Sequence, residues 1–314
     1  MKQIVLTIFL ASFSTFAQAP AVDHHQHLFS PGMAEIQKLP GSLTARDVIA
    51  LLDDAGIKRA VLLSTAYSYG RPGREPQNEY EKVKEDNDWN AAQAALYPKR
   101  LIAFCSFNPL KDYALEELVR CSKNPLTRSG IKLHFGNSDV QLDKPEHVEK
   151  LKAVFRAANT NRMALVIHMR ASISLNRPYG AEQVRTFLDQ LMPLASNITV
   201  QVAHLAGSGP GFDDAKQDSA LDAFIAEIQN PKSKIKNRLW FDVTTSAHPS
   251  NSPERTALLL KRIRQLGVKR ILYGSDVTVG SNLKPKDSWA ELSKIGLTKD
   301  EIQTIARNQA PYLR

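Results

Sequence analysis

Short runs of β-branched and apolar residues recur along this chain, and each is followed by a longer stretch whose apolar positions return every three or four residues. The runs Ala21–Leu28, Arg59–Ala66, Arg100–Asn108, Gly130–Phe135, Ala164–Met169, Ile198–Ala206, Leu239–Thr245 and Arg270–Val277 read as strands. The intervening periodicity predicts helices over Thr44–Ala55, Glu79–Tyr97, Tyr113–Ser122, Pro145–Asn159, Ala181–Ala195, Asp214–Ile228 and Pro253–Leu266. Gly56 and Gly267 stand where the first and last of these should stop. Two more, Trp289–Ile295 and Lys299–Asn308, close the chain, and no linker, low-complexity segment or fixed-length repeat interrupts the series. A crossover helix returns the chain to the same end of the sheet, so strands joined this way run parallel. Eight such units match a single-domain (β/α)8 TIM barrel. The alternative, an open doubly wound sheet, lacks its glycine fingerprint after the first strand, where Asp23-His24-His25-Gln26-His27 stands instead.

The first residues follow a different pattern. Lys2 precedes an apolar run, Ile4 to Phe13, that is short for a bilayer span, and small residues follow. This predicts a signal peptide over residues 1–17, cut after Ala17 or, less favourably because of Pro20, after Ala19. An uncleaved N-terminal anchor is the alternative. The expectation is a periplasmic or secreted protein with its barrel in residues 18–314 and no stable membrane insertion after processing.

With 314 residues, the chain is long enough to bury a core without staples. Its formal charge of +9 invites a nucleic-acid reading, but the cations are dispersed. Their tightest cluster, Lys261-Arg262-Ile263-Arg264, reads as the solvated face of a helix, so no nucleic-acid partner is expected. A small-molecule substrate, anionic in some cases, remains, and a homo-oligomer is left open. Of the two cysteines, Cys105 lies well along a strand and Cys121 near the end of the next helix. That helix should carry Cys121 away from Cys105, so two free, buried thiols are expected.

In a barrel the chemistry sits at the carboxyl ends of the strands. His25 and His27 lie on the first strand, Lys132 and His134 on the fourth, and His168, His204 and Asp276 end the fifth, sixth and eighth. Side chains two apart on a strand point the same way, so His25 and His27 project together into the mouth, and His24 points away. His168 and Asp276 can close a metal site from across the barrel. Nitrogen and carboxylate ligands suit Zn²⁺, with Fe²⁺ or Mn²⁺ as alternatives. A strand-end histidine alone is more often a hydrogen-bonded structural residue; the joint occurrence on several strands carries the metal reading. His147 and His248 fall in helix or loop segments and read as surface residues.

These residues resemble the amidohydrolase superfamily, most closely its amidohydrolase 2 (amidohydrolase-related) branch. The motifs that carry the likeness are Asp23-His24-His25-Gln26-His27, Gly130-Ile131-Lys132-Leu133-His134, Ile167-His168, Ala203-His204 and Gly274-Ser275-Asp276. The stretch from Leu297 through Ala310 resembles the group's C-terminal helix. The resemblance implies one divalent metal held by His25, His27, His168 and Asp276, with His204 beside the reacting water or the substrate. Lys132 matches a strand position that is carbamylated in two-metal relatives, but its context is that of the one-metal branch.

The expected function is hydrolysis of an amide, lactone or ester. Asp276 moves the proton and His204 assists as the second catalytic residue. The alternative within the same family is a metal-dependent non-oxidative decarboxylase; a non-catalytic binding barrel is the third reading. Arg71 and Arg74, in the loop after strand two, and Arg170, two residues past His168, join Lys132 and His134 as expected substrate contacts, the alternatives being a solvated loop for Arg71 and Arg74 and an ion pair for Arg170 or Lys132. Asp242, ending strand seven, is expected to brace a ligand.

Overall fold

The computed structural model describes residues 18–74, 76–212, 214–276 and 282–313. The predicted signal peptide, residues 1–17, lies outside the described residues, as does Val277 at the end of the last predicted strand. The strands are β1 (Val22–Gln26), β2 (Arg59–Leu63), β3 (Leu101–Ser106), β4 (Gly130–His134), β5 (Ala164–His168), β6 (Val200–Val202), β7 (Leu239–Asp242) and β8 (Ile271–Leu272). Each pairs parallel with the next in chain order. Two backbone bonds, His24 N–H to Tyr273 O at 2.9 Å and Asp276 N–H to His25 O at 2.8 Å, tie the last strand to the first and close the ring. The protein is a (β/α)8 barrel.

The helices are α1 (Pro31–Ile36), α2 (Ala45–Asp54), α3 (Glu79–Ala95), α4 (Ala114–Lys123), α5 (Phe135–Ser138), α6 (Pro145–Thr160), α7 (Ala181–Thr186), α8 (Ala215–Gln229), α9 (Pro253–Leu266), α10 (Pro285–Lys294) and α11 (Lys299–Arg307). Sequence signals account for several ends. Ser252 accepts from Arg255 N–H before α9, and Gly267 stops it at φ 91°. Thr298 and Glu301 exchange reciprocal bonds of 3.2 and 2.8 Å at the start of α11. The long helix predicted over Ala181–Ala195 is α only to Thr186, then widens into a π turn and tightens into a 3₁₀ turn around Pro193, whose missing N–H cannot continue an α-helix. No helix among the described residues is long and apolar enough to cross a membrane.

Two cores follow from strand alternation. Outward residues such as Ala60 and Leu62 pack under the helices. Inward Val22, Val61, Leu63, Phe104, Ala164 and Val166 fill the amino-terminal end of the barrel, against Tyr312 and Leu313 of the C-terminal turn. Packing there is tight: a Cβ on Gly130 would lie 2.1 Å from the Phe104 ring.

Three expectations are corrected. Cys105 and Cys121 are not free; they form a disulfide with Cα atoms 6.3 Å apart. The loop 107–113 carries the chain past the strand end before α4 begins, and the rise from Ala114 to Cys121 is only about 10 Å. Cys121 has therefore returned just to the level of Cys105. Strand β6 stops at Val202, four residues early, because His204, Leu205 and Ala206 all take left-handed conformations with φ between 47° and 61°. Third, β1 does not alternate strictly: its register against β2 shifts between Asp23 and Gln26. His24 is thereby drawn into the closed end of the barrel, its ring edge-on to Tyr312. It hydrogen-bonds Tyr273 O through Nδ1 and accepts from Ala310 N–H through Nε2.

Candidate active site

At the carboxyl end of the strands lies a cavity of about 210 Å³, lined by His25, His27, Lys132, His134, His168, His204 and Asp276 from the strand ends. Drug-sized ligand sites run from roughly 300 to 1,000 Å³, so this space suits a small molecule. Its other walls include Phe29, Gln37, Tyr67, Ser68, Arg71, Arg74, Asn137 and Ser208.

The histidines are aimed from behind. His25 Nδ1 donates to Asp242 Oδ2 at 3.1 Å, His27 Nδ1 to Leu63 O at 2.5 Å and His204 Nδ1 to Thr244 O at 3.1 Å. Carbonyl and carboxylate oxygens can only accept, so Nδ1 carries the proton in each ring. A neutral imidazole protonated there holds its lone pair on Nε2. All three Nε2 atoms face Asp276: His27 at 3.4 Å and His25 at 3.9 Å from Oδ1, His204 at 4.0 Å from Oδ2. Burial keeps His27 well below the usual histidine range and His204 down at about 3, with neighbouring positive groups adding to the effect. Lone pairs converging on a carboxylate repel one another unless a cation lies between them, so the donor set fits a divalent metal ion. His25, His204 and Asp276 each place a ligand atom within 4.8 Å of the others.

Asp242 organises this arrangement. It also accepts from Gln201 Nε2 at 2.7 Å and from the His204 backbone N–H at 2.9 Å. Burial opposes its charge, yet the facing His25 and His204 rings and its hydrogen bonds with His25 and Thr244 hold its carboxyl far below the usual range. Asp276 has the opposite character: burial raises its carboxyl, so it is a better proton acceptor than a surface aspartate.

His168 stands one ring further round the wall, stacked at 3.8 Å on His134 and edge-on to His204. Lys132 is 1 % exposed, with Nζ 3.2 Å from His25 Nε2, and burial brings its ammonium down to about 8. Arg71 and Arg74 are in the wall. Arg170 is not. Asp214, the cap of α8, engages both of its terminal nitrogens, Nη1 at 2.9 Å. His147 and His248 are part-buried and outside it.

The strand-end rule passed over three residues that matter here. Tyr67 follows strand β2 and tilts over the His134 ring at 4.8 Å; its position just past a strand end was the available signal. Asn282 donates to Asp276 O at 2.7 Å and Oδ2 at 3.4 Å from a loop with no pattern of its own. Gln217, on α8, donates at 3.1 Å to both His204 O and Leu205 O, steadying the left-handed turn. Gly274 allows close approach on the other side: a Cβ would lie 2.2 Å from Thr244 Oγ1 and 2.7 Å from His25 Cβ.

A family model described as amidohydrolase matches residues 22–308. Solved structures are similar over most of their length. One is a 2,6-dihydroxybenzoate decarboxylase from Rhizobium, 16% identical, covering 92% of this chain and 96% of that one with a TM-score of 0.63. Another is a probable 2-pyrone-4,6-dicarboxylic acid hydrolase from Acinetobacter baumannii, 20% identical, covering 93% and 97% at 0.61. A third is a 5-carboxyvanillate decarboxylase from Novosphingobium aromaticivorans complexed with manganese, 14% identical, covering 92% and 94% at 0.60. At these identities the likeness establishes the fold. No curated protein sequence matches the chain.

Proposed function

The chain belongs to the amidohydrolase family, and on that premise we propose that it is a metal-dependent hydrolase of small molecules, cleaving an amide, lactone or ester. The observation that carries the reading is the convergence of the His25, His27 and His204 Nε2 lone pairs on Asp276. The proposed ligands are His25, His27, His168 and Asp276, with zinc as the ion and iron or manganese as alternatives. A divalent cation held there lowers the pKa of water and polarises a carbonyl oxygen. Asp276, its basicity raised by burial, takes the proton of the attacking water and passes it to the leaving nitrogen or oxygen. With Nδ1–H engaged by Thr244 O, His204 accepts rather than donates, so it orients that water. Lys132 has protons to give and steadies the developing oxyanion. The products are an acid and an amine or alcohol.

Two of the three similar structures are of decarboxylases, which favours a second reading: loss of CO₂ from a small acid in the same cavity. Elemental analysis, followed by a screen of lactones, esters, amides and aromatic acids, separates the readings. The expected result is about one divalent ion per chain and acid release that disappears in D276N. Metal with CO₂ release instead favours the lyase; no metal and no effect of D276N sinks both and leaves a binding barrel. Export to an oxidising compartment belongs to the same proposal, and the Cys105–Cys121 disulfide supports it. Sequencing the mature N-terminus tests it, with a start at Gln18 expected.

A further inference from the structure

Several half-buried and buried arginines elsewhere in this protein are matched by carboxylates, and Arg238 and Arg270 by backbone carbonyls. Arg170 meets Asp214, Arg177 meets Asp139, and Arg262 meets Asp218 and Asp222. Among the described residues, the side chains of Arg71 and Arg74 have neither kind of partner. Both are part-buried and line the active-site cavity, yet neither forms an ion pair with any described residue. Arg74 Nη1 is buried with no hydrogen-bond partner at all. Among the described residues the only carboxylate in the cavity wall is Asp276, already faced by three imidazoles. The backbone enforces the pairing: Arg71 N–H bonds Ser68 O and Arg74 N–H bonds Arg71 O, winding the loop so that both side chains enter one wall. Burial and the Arg71 charge both work against the Arg74 guanidinium, and the Tyr67 phenol partly relieves it. Two forks held together without an anion are a preorganised receptor for one, and guanidinium geometry matches a planar carboxylate.

We propose that Arg71 and Arg74 clamp a carboxylate of the substrate that takes no part in the reaction, so that the substrate is a small acid carrying this anchor in addition to its reacting group. The inference rests on the reading of the cavity as the active site, but holds for hydrolysis and decarboxylation alike. Under hydrolysis the substrate is an amide, lactone or ester with a free carboxylate; under decarboxylation it is a dicarboxylate. The anchor explains how so polar a cavity selects among small acids: one end is read by the arginines, the other by Lys132 and the histidine cluster.

Calorimetric titration of the zinc-loaded protein with benzoate, isophthalate and 3-phosphonobenzoate tests it. The wild type should bind isophthalate about tenfold or more tighter than benzoate, as expected for one added charge-assisted clamp. In R71M/R74M the gap should vanish, isophthalate falling to the affinity of benzoate. R71K/R74K, which keeps the charge and the solubility but not the forks, should recover only part of it. Equal wild-type affinities, no isophthalate binding, or a gap that survives in R71M/R74M overturns the proposal. Preference for 3-phosphonobenzoate over isophthalate overturns the carboxylate assignment. If the Met variant does not melt cooperatively, the lysine variant decides: a full wild-type gap there removes the forks from the argument. Because binding is read without turnover, a retained gap with no reaction would sink the enzyme reading and leave the clamp standing.

Discussion

The two ends of the barrel are built from the same strands by opposite rules. At the closed end, Val22, Val61, Leu63, Phe104, Ala164 and Val166 pack against Tyr312 and Leu313 with backbone in ordinary strand conformations. At the open end, Lys132, Asp242, His25, His27, His168 and His204 are buried beside the part-buried His134 and Asp276, and His204, Leu205, Ala206, Thr245 and Asp276 all have positive φ. Burying charge and holding left-handed backbone both cost free energy. The apolar end stabilises what the polar end destabilises, and the strands transmit one to the other. A relay links them directly: Tyr312 Oη donates to Gln201 Oε1 at 2.6 Å, Gln201 Nε2 donates to Asp242, and Asp242 holds His25.

The largest effect should come from the closed end. F104A removes a fully buried ring beneath Gly130 and should lower unfolding stability by about 3–5 kcal/mol in denaturant titration. Bound metal per folded chain should not change. A loss of metal from the folded protein would show that the two ends are one cooperative structure.

A smaller effect separates the ends by pH. Asp86 on α3 accepts from Ser30 and Ser64 beside the mouth, and burial raises its carboxyl to about 6. A raised carboxyl means that the folded state holds the proton more tightly than the unfolded chain, whose aspartate titrates near 4. Stability from this group is therefore highest below pH 4, falls as pH rises to about 6, and is constant beyond. D86N removes the titration. Relative to wild type it should gain about 2–3 kcal/mol between pH 4 and pH 7. A difference that stays flat across that range would place the charge of Asp86 in a better-solvated setting.

The closed end and the ring of cavity residues were legible in sequence for the same reason: strand alternation and strand ends are local patterns. That reasoning found His25, His27, Lys132, His134, His168, His204 and Asp276, all of which line the cavity. It failed where a contact joins distant, irregular segments. Arg170 finds Asp214 across 44 residues, Asn282 reaches Asp276 from a loop, and the disulfide depends on how far a loop overshoots a strand before its helix turns back. The irregularity in β1 had no signal either. Alternation cannot reveal a register shift: it keeps His24 out of the mouth, as found, but does not say where its ring packs.

The open end can be loosened without touching the closed one. D242N replaces a carboxylate that accepts from His25, Gln201 and His204 with a group that can accept through one oxygen only. An NH₂ at the Oδ2 position would meet both the His25 Nδ1–H and the Gln201 amide, and one at the Oδ1 position the His204 and Thr244 backbone N–H groups, so donors must turn away in either flip. Loss of a bracing partner of this kind typically weakens metal affinity about 10- to 100-fold. Chelator competition would measure it, and an affinity within twofold of wild type would show that His25 is fixed by packing alone.

The smallest effect tests the relay itself. Y312F keeps the ring that seals the barrel floor and its edge-on contact with Phe104, so apolar burial is unchanged. It removes only the hydrogen that Tyr312 gives to Gln201 Oε1, an acceptor whose residue is fully buried. An orphaned buried acceptor costs about 1–3 kcal/mol, and Gln201 can avoid that cost only by turning. Turning would take Nε2 away from Asp242, leave the carboxylate with one donor fewer, and release part of its hold on His25. Denaturant titration should therefore show a loss of about 1 kcal/mol, accompanied by a metal affinity weakened about two- to fivefold, below the effect of D242N. The pairing of the two changes is the diagnostic. Stability lost with metal affinity untouched would mean that Gln201 stays in place and that the floor supports the mouth through the strands alone.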